Sequence, residues 1–261
     1  MTSSVFISGA ARGIGRATAL ILARRGWIVG VYDILDDFGW AQGEGNIHTG
    51  YLDVTNPESW EEALADFTAH TGGRLDAMVN NAGILYAGSF TGAGSYAQDS
   101  TTVDVNVKGV MYGARAAYPY LRQVRGSRLV NLASASAIYG IPDLAVYSAS
   151  KFAVRGITEA LEQEWEEEGI IVSDVWPLFA RTALLHGVST TSTSRLGVRL
   201  EAEDVALAVA NRVEEKRSRP VKVHQPVGLQ TKILYALSNF SPNWLVRYVN
   251  AKLTTDRKIK V

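Results

Sequence analysis

Short apolar runs alternate along the chain with longer stretches in which apolar residues recur every three or four positions. Val5-Phe6-Ile7 and the stretch from Trp27 to Asp33 predict strands over 5–8 and 27–33, with an amphipathic helix over 13–25 between them. The alternation continues with a strand over 47–52, then a helix over 57–70 that Pro57 opens in its first turn. It predicts strands over 75–80, 128–133, 170–176 and 221–224, and helices over 98–123, 147–168 and 201–216. Strand followed by helix, many times over, implies parallel strands with helices on both faces: an α/β, doubly wound, mostly parallel sheet. Several strands are unbroken apolar runs, as expected of strands covered on both sides. No repeat, linker or low-complexity segment marks a boundary, so residues 1–227 are expected to form one domain. Residues 228–261 predict one or two short amphipathic helices, a C-terminal extension of that domain. Residues 187–197, rich in Ser and Thr, predict a mobile loop.

Composition narrows the class of protein. The chain has 261 residues, 47% hydrophobic and 20% charged, which is ordinary for a soluble globular protein. At this length it buries roughly three quarters of its unfolded surface and needs no disulfide to be stable. It has no cysteine, which fits a reducing compartment, and a cytoplasmic location is expected. Its 26 basic and 26 acidic residues cancel, so there is no basic footprint for nucleic acid. No secretion signal is expected, and no apolar run approaches the roughly 20 residues of a spanning helix. His48, His70, His186 and His224 are scattered without ligand spacing, so no metal site is expected. The glutamate-rich run at 162–168 predicts the solvated end of a helix, and Trp27, Trp60 and Trp165 are expected in the core.

The candidate chemistry begins where the first strand meets the first helix. Ser8-Gly9-Ala10-Ala11-Arg12-Gly13-Ile14-Gly15 places three glycines in a strand–turn–helix context. Glycines at this spacing let backbone amides approach a pyrophosphate, and the helix N-terminus adds favourable partial charge. Asp33 ends the second strand, 18 residues after Gly15. A carboxylate there can accept hydrogen bonds from a ribose diol and repels a 2′-phosphate, which favours NAD over NADP. Arg12 argues the other way, since a cation in the turn attracts a 2′-phosphate; Asp33 has the more direct position.

With these residues in view, the sequence resembles the short, single-domain branch of the short-chain dehydrogenase/reductase family from about Ser4 to about Thr182. The glycine turn matches, with Ser8 where Thr is commoner. Asp53-Val54 resembles the pair beside the adenine ring, and Asn80-Asn81-Ala82-Gly83 the segment closing over the adenosine. Asn106, in Val105-Asn106-Val107-Lys108-Gly109, resembles the helix asparagine of the catalytic tetrad. Ser134 resembles the catalytic serine, and Tyr147-Ser148-Ala149-Ser150-Lys151 the Tyr/Lys signature 13 residues later. The resemblance implies a Rossmann fold, a nicotinamide dinucleotide bound by Gly9, Arg12, Gly13, Ile14, Gly15, Asp33, Asp53, Val54, Asn81, Ala82, Gly83, Tyr147, Lys151, Pro177 and Thr182, and a homo-oligomer. Two departures stand out. Leu178 replaces the glycine that usually follows Pro177, so its side chain must enter the cofactor or substrate pocket. The chain also runs about 33 residues past Gly228, which leaves dimer and tetramer both open.

A free tyrosine, with a pKa near 10, is a poor base at neutral pH. Tyr147 and Lys151 are four apart and share a helix face, so the Lys151 ammonium is expected to lower the Tyr147 pKa toward the working range. On its own such a pair is common and says little; the glycine turn and Ser134 give it weight. Ser134 is expected to donate to the substrate oxygen, as Tyr147 does. The resemblance implies that Asn106 holds a water relaying protons through Lys151. Residues 84–90, 136–143 and 178–199 are expected to form the substrate pocket. Leu85, Tyr86, Ile138, Tyr139, Leu184 and Leu185 suggest an apolar secondary alcohol or ketone. A non-catalytic NAD(H)-sensing module has no need of Ser134, Tyr147 and Lys151 together, and epimerase chemistry on nucleotide sugars implies a longer chain. Residues 229–253 carry an apolar face beside Lys232, Arg247 and Lys252; packing over the pocket or against a partner is expected ahead of membrane contact.

Overall fold

A computed structural model of the chain describes residues 2–92, 95–185, 187–188, 190–215 and 221–255. Strand β1 (Ser4–Ser8) is followed by α1 (Gly13–Arg24), β2 (Ile28–Asp33), β3 (Ile47–Tyr51), α2 (Pro57–Ala69) and β4 (Ala77–Asn80). Next come α3 (Tyr96–Val103), a π-helical turn over Asp104–Lys108, α4 (Gly109–Leu121), β5 (Arg128–Leu132), α5 (Ala145–Glu164) and β6 (Ile171–Pro177). The chain continues through β7 (Ala180–Arg181), α6 (Thr191–Leu196), β8 (Leu200–Glu201), α7 (Ala202–Glu214), β9 (His224–Val227), α8 (Leu229–Phe240) and α9 (Asn243–Thr254). Seven strands form one parallel sheet in the order β3-β2-β1-β4-β5-β6-β9, a Rossmann fold, and β7 and β8 make a separate parallel pair.

The alternation within β1 shows how the sheet is covered. Val5 and Ile7 join Val31, Val79, Val130 and Val209 under α1 and α7, while Phe6 joins Tyr32, Trp60, Phe67 and Met78 under α2 and α4. Each face therefore has its own core, and every residue of β1 is buried. Helix α2 starts where it does because the Asn56 side chain accepts from Ser59 N at 3.2 Å and Pro57 needs no amide partner in the first turn. Strand order reverses at β1, between β2 and β4, and this opens a crevice at the carboxyl ends of β1 and β4.

Four expectations need correction. The last strand is His224–Val227, not 221–224. Pro226 argues against a strand in the interior of a sheet, but β9 lies at the sheet edge, where a missing N–H is tolerated. The loop expected over 187–197 contains α6, because Thr190 accepts from Thr193 N at 3.1 Å and Thr193 Oγ1 accepts from Thr190 N at 2.9 Å. The hydroxyls that suggest a loop are a helix cap; Ser189 lies outside the described residues. The single helix expected over 98–123 is interrupted by the π-helical turn. His48 and His70 are also not scattered: their rings stack with centroids 4.0 Å apart. Among the described residues no group of three or more His, Cys, Asp or Glu side chains is arranged to hold a metal ion; His186 lies outside them.

Candidate functional site

The glycine turn is built by close backbone approach. Gly9 has φ +64°, and a Cβ there would lie 2.5 Å from Ala82 Cα. A Cβ on Gly15 would lie 2.6 Å from Asn81 Nδ2. Asn81 donates to Ser8 O at 3.0 Å and Gly9 O at 2.7 Å, while the Ser8 hydroxyl accepts from Asn81 N and Ala82 N. These bonds tie the end of β4 to the turn after β1. Arg12 is the N-cap of α1 and gives its first-turn amides no side-chain partner, so that end of the helix presents donors and positive partial charge. Asp33 accepts from Ala11 N and Leu35 N, both at 3.0 Å, which fixes its carboxylate beside the turn.

These elements border an open cleft of about 520 Å³. Of the expected cofactor residues, Gly9, Arg12, Gly13, Ile14, Asp33, Asp53, Val54, Asn81, Ala82, Gly83 and Thr182 line it. Gly15 and Pro177 are buried in its supporting structure. Part of the Asp53 carboxylate is committed to Thr55, whose amide and hydroxyl donate to Oδ1 at 2.9 and 2.7 Å. The structure adds residues that the sequence does not single out. Ile34 and Leu35 line the cleft beyond Asp33. Trp40 donates to Ala11 O at 2.9 Å and receives the Arg16 guanidinium over its ring. The signal for Trp40 was absent, because its contact with the turn is made only by the fold.

Asn106 of the π-helical turn, Ser134 just after β5, and Tyr147 and Lys151 of α5 converge on the far side of Gly83. Asn106 sits in the π-helical turn, fully buried; it accepts from Ile84 N at 2.8 Å and donates to Ile84 O at 2.9 Å and Ser150 Oγ at 3.1 Å. Ser150 in turn donates to Tyr147 O at 2.7 Å, a link that the sequence did not reveal. Ser134 accepts from Ser136 N at 3.1 Å and its hydroxyl pairs with that of Ser136 at 3.2 Å. Lys151 donates to Leu132 O at 2.8 Å, and its Nζ would lie 3.8 Å from a Cβ on Gly83. Burial pushes the Tyr147 phenol up to about 12, with the nearby Ser134 hydroxyl working downward, and pushes the Lys151 ammonium down to about 8. The expectation that Lys151 lowers Tyr147 is therefore not met. The ammonium lies 5.6 Å over the Tyr147 ring and spends its hydrogen bond on Leu132, and the cost of desolvation dominates for both groups.

Tyr147 also belongs to an apolar cluster with Tyr139, Ile141, Leu144, Phe179 and Leu196. Leu85, Ile138, Leu178 and Leu185 pack against it, so all three expected substrate segments contribute, and the Leu178 side chain enters the Tyr147 cluster. Leu234 of α8 and Leu253 of α9 complete it. Between residues 138–139 and these two helices lies a small apolar cavity of about 60 Å³. Tyr86 and Phe90 are largely exposed and lie outside this cluster.

A model of the family described as short chain dehydrogenase matches residues 3–193. An uncharacterized oxidoreductase of Staphylococcus saprophyticus is 34% identical over 207 residues, 77% of this chain and 80% of its own. Trans-4-hydroxycyclohexanecarboxylate dehydrogenase of Sinomonas cyclohexanicum is 34% identical over 194 residues, 70% of this chain and 74% of its own. Among solved structures, 3-ketoacyl-(acyl-carrier-protein) reductase of Brucella melitensis, complexed with NADH, is 24% identical with a TM-score of 0.80, covering 88% of this chain and 98% of its own. ElxO with NADP bound is also 24% identical, with a TM-score of 0.77, covering 87% of this chain and 97% of its own. These structures share the fold.

Proposed function

The chain belongs to the short-chain dehydrogenase family, and from that premise we propose that it transfers a hydride between NAD(H) and an apolar secondary alcohol or ketone, with Tyr147 as general acid/base. The observation that carries this reading is the position of Tyr147. Its hydroxyl is near enough to Ser134 for that side chain to draw its pKa downward, its ring lies in an apolar cluster with Leu178, and Lys151, over that ring, reaches toward Gly83 on the cleft.

A dinucleotide fits the residues present: Gly9 and Gly15 leave no room for a Cβ, and the cleft ends at the uncapped N-terminus of α1. Gly9, Arg12, Gly13, Ile14 and Gly15 would hold its pyrophosphate; Asp53, Val54, Asn81, Ala82 and Gly83 its adenosine side; Lys151, Tyr147, Pro177 and Thr182 its nicotinamide end. Asp33, held by two backbone amides, would take the ribose diol and repel a 2′-phosphate, which supports NAD over NADP. When bound, the dinucleotide supplies the hydride acceptor or donor. With its pKa near 12, the Tyr147 phenol is protonated at neutral pH and gives its proton to a carbonyl oxygen; in the reverse direction the phenolate takes the proton of the alcohol. Ser134 donates to the same oxygen as negative charge develops there. Asn106 is committed to Ile84 and Ser150, which favours a positioning role over the direct holding of a water.

The relative named for a hydroxycyclohexanecarboxylate, together with the apolar cluster, supports a small secondary alcohol as substrate. A homo-oligomer, dimer or tetramer, is part of the reading; the groove between α4 and α5, lined by Met111, Ala114, Ile157 and Trp165, supports it. So is a cytoplasmic location, which the cysteine-free sequence supports. The test is Tyr147→Phe, assayed by NADH absorbance against a panel of alicyclic and linear secondary alcohols and ketones. Turnover should fall by about a hundredfold or more while dinucleotide binding is kept. A variant that turns over like the parent removes Tyr147 from the chemistry. If no alcohol or ketone reacts with the parent while NADH still binds, the sensing-module reading takes its place. A kcat/KM with NADP(H) equal to or above that with NAD(H) removes the reading of Asp33.

A further inference from the structure

The two helices after β9 are apolar on both sides. Inward, Leu234 joins the Tyr147 cluster, Tyr235 packs edge-on against Trp176, and Leu245, Val246 and Val249 line the apolar cavity. Outward, α8 exposes Leu229, Ile233, Leu237 and Phe240 at steps of four, four and three, which is one helical stripe, with half-exposed Leu237 also bordering the cavity. Helix α9 exposes Trp244 and Tyr248 at the same spacing. Phe240 is 90% exposed, Leu229 73% and Trp244 60%. The polar members of the exposed stripes include Lys232, Arg247 and Lys252, all exposed, and no acidic residue occurs from Lys216 to Thr255. From Lys216 to the end of the sequence lie ten of the 26 basic residues and one of the 26 acidic ones. A chain with no net charge is thus strongly cationic at one end and anionic over the rest.

We propose that the outer face of α8 and α9 docks on an anionic lipid surface and lies in the plane of the interface. Large aromatic side chains flanked by Lys and Arg suit the boundary between headgroups and acyl chains, and the cations add attraction to anionic lipid. Among the described residues no helix is long and apolar enough to cross a membrane, so the contact is peripheral. A second copy suits this face poorly. In a two-fold pairing of these helices with themselves, neither copy offers Lys232, Arg247 and Lys252 a carboxylate from α8 or α9. Because the inner sides of the same helices line the apolar cavity, docking also brings that cavity close to the bilayer.

The experiment is co-sedimentation of the full chain with vesicles of phosphatidylcholine alone and of phosphatidylcholine mixed with phosphatidylglycerol. The parent should pellet with the anionic vesicles, weakly with the neutral ones, and less as salt is raised. The double variant Phe240→Ser, Trp244→Ser should lose about tenfold or more in partitioning. The triple variant Lys232→Glu, Arg247→Glu, Lys252→Glu should lose at least about fivefold for each cation. Equal pelleting of the parent with both vesicle types overturns the proposal, as does binding that neither variant changes. Light scattering on the parent and the serine variant reads the rival occupant: if the substitutions split a larger assembly into smaller ones, a second copy covers the face and the lipid proposal falls.

Discussion

Lys151 is expected to destabilise the fold that it serves. Burial lowers its pKa from 10.5 to about 8, so the folded chain holds a proton on this group far less tightly than the unfolded chain does. At about 1.4 kcal/mol for each tenfold change in proton affinity, that difference withholds about 3 kcal/mol of stability at neutral pH. Lys151→Met keeps the length of the side chain and removes the charge. It also leaves Leu132 O without its donor, at a cost of about 1 kcal/mol, so the net gain is about 2 kcal/mol. The sign follows from proton counting. Between about 8 and 10.5 the unfolded parent binds more protons than the folded one, so parental stability rises with pH across that window while the Met variant has nothing to titrate. Urea denaturation of both proteins without dinucleotide, from neutral to strongly alkaline pH, should show the Met variant ahead at neutral pH. Its advantage should close through the window and reverse slightly above it. A Met variant less stable than the parent at neutral pH, or a difference that ignores pH, refutes the argument. The same variant should turn over substrate poorly, so stability and activity move in opposite directions at one residue.

Gly9→Ala should weaken dinucleotide binding by about tenfold or more, read by quenching of intrinsic fluorescence, because the new Cβ meets Ala82 Cα at 2.5 Å in a left-handed backbone. Leu178→Gly removes a side chain from the Tyr147 cluster. It should cost about 2 kcal/mol in a urea titration and raise kcat/KM for bulky alcohols relative to small ones. Thr190→Ala removes the hydroxyl that accepts from Thr193 N, one half of the reciprocal cap of α6, and should destabilise the protein by about 1 kcal/mol, measured by thermal melting.

Features with local physical requirements were legible in the sequence. The turn from β1 to α1 needs glycine where backbone meets backbone, and Gly9 and Gly15 stand there whatever surrounds them. Val5, Phe6 and Ile7 had to be buried on both sides, which made the parallel sheet readable. The rest was settled by partners distant in sequence. Pro226 is admitted to a strand only because β9 has no neighbour on its outer side. The hydroxyls of Thr190 and Thr193 suit a loop and a cap equally, and only the geometry around them chooses. Spacing placed Lys151 beside Tyr147, but not the depth at which both are buried, and depth is what sets their pKa directions. Trp40 gave no sign of reaching the glycine turn, since its contact with Ala11 joins two separate excursions of the chain.

The π-helical turn at 104–108 holds one residue more than a regular helix would need over the same rise. Each helical residue turns the chain by about 100°, so the extra one sets the faces of α3 and α4 out of phase. Loops are where proteins usually absorb changes of length; here one sits inside a continuous helix. Removing a residue from this turn would yield a better helix in isolation and a worse protein. Either Asn106 would swing away from Ile84 and Ser150, or α4 would rotate off Trp60. The helix is thus mistimed on purpose, and that single residue of slack is what lets one rod serve the site at one end and the core at the other.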